Sequence, residues 1–171
     1  AFAPLVKRYL ATLPSNGREE TWRDLGVRPP RGVITRTVHK GMEPKSMTAI
    51  AFTGPFQYDT DHRNAIRALC SVMETRLRNA LREDRGGTYG VGVRPGYDRI
   101  PEESYSIMIN FGADPERIEE LSRVVFEEIE KMKAEGPTED EIRNVREAEI
   151  REYETSVESN VWWLNQLVFR Y

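Results

Sequence analysis

The sequence is short of the residues that usually announce chemistry. It has one cysteine in 171 residues, Cys70, so no internal disulfide can form. Cys70 falls at an apolar helical position and reads as a buried, inert thiol rather than a nucleophile. There are two histidines, His39 and His62. Neither belongs to an H-E-x-x-H or H-x-x-E-H arrangement, and there is no Cys/His cluster, so this chain alone offers zinc no ligand set. One histidine on an alternating segment and one in the first turn of a helix read as solvent-facing. No G-x-S-x-G elbow and no phosphate-binding loop occur. "GGTYGVG" is glycine-rich, but a helix precedes it and a strand follows, the reverse of the order in a nucleotide fold. No apolar run is long enough to cross a bilayer. The 25 basic and 28 acidic residues are interleaved and sum to −3, which leaves no electrostatic case for nucleic acid. An initiator Met and a signal peptide are also missing. Both ends, "AFAPLVKRYLATLP" and "NVWWLNQLVFRY", are apolar or amphipathic, so the chain reads as a piece of a longer protein.

What is present is enough for a core. Hydrophobic residues make up 39% and charged residues 31%, and the length suits one α+β domain over residues 1–171. Phe2, Leu5, Val6, Tyr9 and Leu10 recur at helical spacing until Leu13-Pro14. "SNGREE" and "GVRPPRG" read as loops around an irregular "TWRDL". Residues 33–41 alternate apolar and polar, and 47–56 are small and apolar, so both read as strands joined by "MEPKS". Ile66, Leu69, Cys70, Met73, Leu77 and Leu81 form the stripe of a helix over about 60–83, capped by Asp59 or Thr60. Residues 88–95 and 103–112 read as a hairpin punctuated by Gly96 and Pro101. Asp114-Pro115 opens a helix whose buried face is Ile118, Leu121, Val125, Ile129 and Met132. On its wet face Glu119 with Arg123, and Glu127 with Lys131, stand four apart. Thr138 and Glu141 make a capping box for a last helix that runs through most of the end. "REAEIREYE" within it reads as a solvated face rather than an acid–base pair, and Trp162 and Trp163 read as packing residues. The order α-ββ-α-ββ-α-α favours an α+β layer: a largely antiparallel sheet of about four strands with helices on one face.

One stretch resists an anonymous reading. "RNALREDRGGTYGVGV" resembles a segment of the pitrilysin/insulinase-type zinc peptidases, in which L-R-E, a glycine-containing turn, a tyrosine and a strand follow one another. "KGMEPKSMTAIAFTGPF", "GADPERIEELSRVVFEEIEKMKAEGPTEDEIRNVREAEI" and "SVESNVWWLNQL" resemble further segments of that family in the same order, so the likeness spans the chain, most closely from residue 41. Members are built from repeated α+β domains. One half carries H-x-x-E-H and zinc, and the other lacks that motif and closes over it. The resemblance therefore implies a non-zinc domain, with no catalytic or metal residue of its own, and zinc as a cofactor elsewhere in the parent. Its partners would be the zinc-bearing domain of the same protein and a peptide substrate. Long single-chain bacterial members are often exported, which points to the periplasm. The resemblance also implies substrate-binding roles for Arg82 and Tyr89, seven positions apart across Gly86-Gly87. A phenol O–H can donate to the oxyanion of a tetrahedral intermediate, and a guanidinium can hold a nearby carbonyl. The bland alternative pairs Arg82 with a surface carboxylate and packs Tyr89 in the sheet. Arg85, beside the glycines, is a departure that either competes with Arg82 or is simply solvated. Two other functions fit the same fold: a catalytically inactive scaffold that completes a chamber, and a stand-alone peptide-binding module.

Overall fold

The computed structural model describes residues 2–14, 16–19, 21–83 and 88–170, with 82, 83, 88, 89, 169 and 170 described by backbone alone. The chain divides into two units, Ala1–Pro30 and Arg31–Tyr171. The first contains helix α1 (Ala3–Tyr9), opened by Pro4 in its first turn and carrying the expected apolar spacing. Beyond it the described backbone is irregular, as "TWRDL" and its flanking loops suggested. Asp24 supplies local order by accepting from the Gly26 N–H at 2.8 Å and pairing with Arg28 at 2.7 Å.

The second unit is built on strand β1 (Ser46–Pro55), helix α2 (Thr60–Glu83), strands β2 (Thr88–Asp98) and β3 (Ser104–Ala113), and helices α3 (Ile118–Glu135), α4 (Glu139–Ser156) and α5 (Asn160–Arg170). The strands are antiparallel in the order β1-β3-β2, so β3 is central and the other two are edges. The α+β layer holds, with three strands among the described residues rather than about four. Residues 33–41 do not enter the sheet. Alternation fixes which face a strand would show, but a strand exists only through its ladder. Here Val33 stays 98% exposed, and the segment pairs with no strand among the described residues.

One sheet face carries the core. Val93, Ile109, Phe111 and Ala113 are buried there, with Ile50, Phe52, Val91, Tyr97, Tyr105 and Ile107 packed beside them. Against them lie Ile66, Cys70, Val72, Met73, Leu77 and Leu81 of α2 and Leu121, Val125 and Met132 of α3. The predicted α2 stripe is right except at Leu69, which is 39% exposed beside α4 while Val72 is buried. The two sit on flanks of the stripe that sequence spacing does not rank. Burial raises the Cys70 thiol to about 11, which makes it unreactive at neutral pH. Asp59 caps α2 by accepting from the His62 N–H at 2.8 Å, and its carboxylate also holds the His62 ring.

Several boundaries moved for local reasons. β2 runs through Pro95 and Gly96 to Asp98. Pro95 is tolerated because an edge strand need not donate from every residue. At Gly96 a Cβ would stand 2.4 Å from the Ser106 hydroxyl across the ladder, so a side chain there would turn that hydroxyl away. Asp114 accepts from the Glu116 N–H at 3.0 Å and opens a single 3-10 turn, Pro115–Arg117, before α3. Lys131 pairs with Glu128 at 2.5 Å rather than with Glu127. The last helix is two, because "SVESN" breaks it between α4 and α5. The Trp163 indole N–H donates to the Val157 carbonyl at 2.8 Å and secures the break. Trp162 stacks edge-on with Trp163 and with Tyr153, the packing role expected of it.

Candidate functional site

The predicted site lies where α2 gives way to β2. Arg82 is one residue beyond the buried Leu81, in the last turn of α2. Tyr89 is the second residue of β2. The β2–β3 register pairs Thr88 with Ala113 and Gly90 with Gly112, so the chain gains a residue on the β2 side at Tyr89. This is a β-bulge, a device that re-aims a side chain and disrupts the ladder locally. Gly90 follows with φ +149°, a conformation that L residues rarely adopt. Residues 84–87, including Arg85 and the Gly86-Gly87 turn, lie outside the described residues, as do the side chains of Arg82 and Tyr89. The structure thus fixes the two backbone supports of the pair and the bulge beneath one of them.

Those supports are held by two charged side chains of α2, Glu74 and Arg76, that sequence reasoning missed. Glu74, on α2, accepts from the Val93 N–H at 3.1 Å. That amide points off the open edge of β2, so the carboxylate joins helix to strand and covers the edge. Its other oxygen meets Arg78. Arg76 reaches to the start of α4, where its Nε and Nη2 contact the two Glu141 oxygens at 2.6 and 2.7 Å. Nη2 also donates to the Gly136 carbonyl at 3.0 Å. Glu141 is at the same time the third residue of the Thr138 capping box, which forms as expected. The Arg76 hydrogen bonds, with help from Thr138, hold the Glu141 carboxyl down at about 2, and Glu141 raises Arg76 in return. Gly136 makes the approach possible: its φ of +73° ends α3 and turns its carbonyl toward Arg76. Glu74 and Arg76 bracket the core stripe of α2, and charged residues beside buried positions were the signal available in the sequence.

The opposite end of the sheet holds a separate aromatic cluster. Phe56 stacks on Tyr97 at 6.2 Å, and the Arg63 guanidinium lies 5.0 Å from the Tyr58 ring centre and 5.8 Å from that of Tyr97. It anchors the start of α2 and contains none of the predicted site residues. No group of three or more His, Cys, Asp or Glu side chains suited to a metal ion occurs among the described residues. The donor set described here therefore does not fit zinc. No helix among the described residues is long and apolar enough to cross a membrane.

Comparison with known proteins bears on this geometry. A family model described as "Peptidase M16 inactive domain" matches residues 2–149. A curated Arabidopsis thaliana protein, "Zinc protease PQQL-like", is 25% identical over 98% of this chain and 19% of its own length. The chain thus spans about a fifth of that relative. The periplasmic protease PqqL from Escherichia coli matches with a TM-score of 0.65 and 24% identity, over 74% of this chain and 14% of that one. A peptidase M16 inactive domain from Pseudomonas fluorescens matches with a TM-score of 0.54 and 25% identity, over 73% of this chain and 29% of that one.

Proposed function

This chain belongs to the peptidase M16 inactive-domain family, and from that premise we propose that it is the non-zinc domain of a zinc metallopeptidase, supplying substrate contacts to peptide hydrolysis carried out in another domain. The observation that carries the reading is the match of the inactive-domain family over residues 2–149, which includes both Arg82 and Tyr89. The bulge at Tyr89 supports it, because it distinguishes that residue from its neighbours in the ladder. In this reading Tyr89 donates its phenol O–H to the oxyanion of the tetrahedral intermediate. Arg82 donates to a neighbouring substrate carbonyl. The zinc belongs to the parent's other half, and its domain is this chain's partner. The Escherichia coli relative is described as periplasmic, and we assign the parent to the same compartment.

The test uses the full-length parent carrying Arg82→Ala or Tyr89→Phe, with zinc content measured in each. Turnover should fall by about 100- to 1000-fold in Tyr89→Phe, the range for removing one oxyanion donor, and should also fall in Arg82→Ala, with zinc retained in both. Unchanged turnover in both variants would leave the domain a chamber wall or scaffold. One tight zinc retained per purified 171-residue chain would overturn the non-zinc assignment.

A further inference from the structure

Arg82 and Tyr89 belong to different elements, so their spacing is set by how α2 lies against β2. At the far end of the two elements the Arg63 guanidinium lies 5.8 Å from the Tyr97 ring centre. Midway, the apolar stripe of α2 packs with the buried Val93 side chain. At the same point Glu74 Oε2 accepts from the Val93 N–H at 3.1 Å. These contacts differ in kind. Apolar packing is non-directional and lets a strand slide along a helix. A hydrogen bond to one backbone amide does not, because it weakens steeply with distance and angle.

The bond is also well placed. From Glu74 to Arg82 is eight residues of helix, roughly 12 Å, and from Val93 to Tyr89 is four residues of strand, roughly 13 Å. Glu74, Arg78 and Arg82 stand four apart, so their backbone positions follow one side of α2. The Glu74 bond puts that side along the open edge of β2. The carboxylate is thus a crossbar between two arms of similar length, one ending at Arg82 and the other at Tyr89. Its second oxygen meets Arg78, one turn nearer the site, which orients it. The β2 arm needs such a hold. Gly90 and Gly92 lie between Tyr89 and Val93, and glycine restricts its own backbone least. The bulge interrupts the β3 ladder where Tyr89 stands. Val93 is the first residue beyond both glycines, and Glu74 grips it from the other side of the strand.

We infer that Glu74 is a positioning residue for peptide hydrolysis. By holding the Val93 amide it sets the distance between Arg82 and Tyr89, so that both reach one substrate. It touches neither the substrate nor the reacting atoms. The inference rests on the preceding reading of Arg82 and Tyr89 as substrate-contacting residues.

The experiment is steady-state kinetics of the full-length parent on an internally quenched, unstructured peptide, with zinc content and thermal unfolding followed in each variant. Glu74→Leu removes the acceptor and keeps the bulk. kcat should fall about 10- to 100-fold, as misplacing a reacting group by about 1 Å would do. KM should stay within about twofold, because the lost contact belongs to the transition state. Glu74→Gln keeps an acceptor at the same reach and should restore most of the loss. Glu74→Asp keeps the charge but falls one methylene short, so it should behave as Glu74→Leu does, and it serves in its place if the leucine variant does not fold. In a Tyr89→Phe background the Leu and Asp changes should each cost less than about twofold, because the hydroxyl they would displace is already gone. A lower unfolding temperature with kcat of the folded enzyme unchanged is the mark of a structural role alone and overturns the inference. Equal losses in both backgrounds also overturn it, because Glu74 then acts apart from Tyr89. If Tyr89→Phe lowers turnover and the Glu74 variants do not, the inference fails and the roles of Arg82 and Tyr89 stand. If neither Arg82→Ala nor Tyr89→Phe lowers turnover, the reading of the site fails and takes the inference with it.

Discussion

The link from Arg76 to Glu141 joins α2 to the start of α4, and its strength can be worked from the structure. The Glu141 carboxyl drops from 4.5 to about 2. That drop corresponds to about 3 kcal/mol before screening, at 1.36 kcal/mol per pKa unit. The Arg76 and Glu141 side chains are 14% and 23% exposed, so water screens the pair and about 1.5 kcal/mol is the reasonable net value. The sign follows from the direction: the folded value lies below the unfolded one, so the stabilisation is complete above pH 4.5 and disappears as pH falls toward 2. Urea unfolding of Glu141→Gln, Arg76→Met and the double variant should give two similar single losses of about 1.5 kcal/mol and a double loss little larger than either. Between pH 6 and pH 2.5 the wild-type and Glu141→Gln curves should converge. Additive single losses, or parallel pH curves, would show that the two groups stabilise the fold independently and that the link is not what joins the helices.

Two further outcomes test the packing. Leu77→Ala, at a fully buried point between α2 and the sheet, should cost about 2–5 kcal/mol in urea unfolding, and a loss under about 1 kcal/mol would contradict its place in the core. Gly54→Ala would put a Cβ 2.7 Å from the Tyr105 ring, which Phe56 confines, so it should cost about 1–3 kcal/mol. Truncating Tyr105 to alanine in the same chain should remove most of the added penalty, and equal penalties in both backgrounds would refute the steric cause.

What could be read from the sequence was whatever depends on neighbours along the chain. The α2 stripe from Ile66 to Leu81, the Asp59 cap, the Asp114-Pro115 start and the Thr138–Glu141 box are all decided within a few residues, and the structure contains them. What could not be read depends on distant partners. Residues 33–41 alternate like a strand, but the alternation carries no information about who would pair with them. Arg76 and Glu141 stand 65 positions apart, and nothing local selects one carboxylate from the many on α3 and α4. At the site, Arg82 and Tyr89 were legible through resemblance to a family. The bulge at Tyr89 was not, because a register shift belongs to β2 and β3 jointly.

The make-up of β2 has a dynamic consequence. With Gly90, Gly92, Pro95 and Gly96 among its eleven residues, this strand has little intrinsic preference for its own conformation. It is held from outside, by the β3 ladder on one side and by the Glu74 carboxylate on the other. Release of β2 would have to undo the β3 ladder, the Glu74 hydrogen bond and the packing of Val93 against α2 together. Tyr89 rides on that strand, so its placement is as durable as the three holds on β2: the ladder to β3, the Glu74 hydrogen bond from α2 and the burial of Val93.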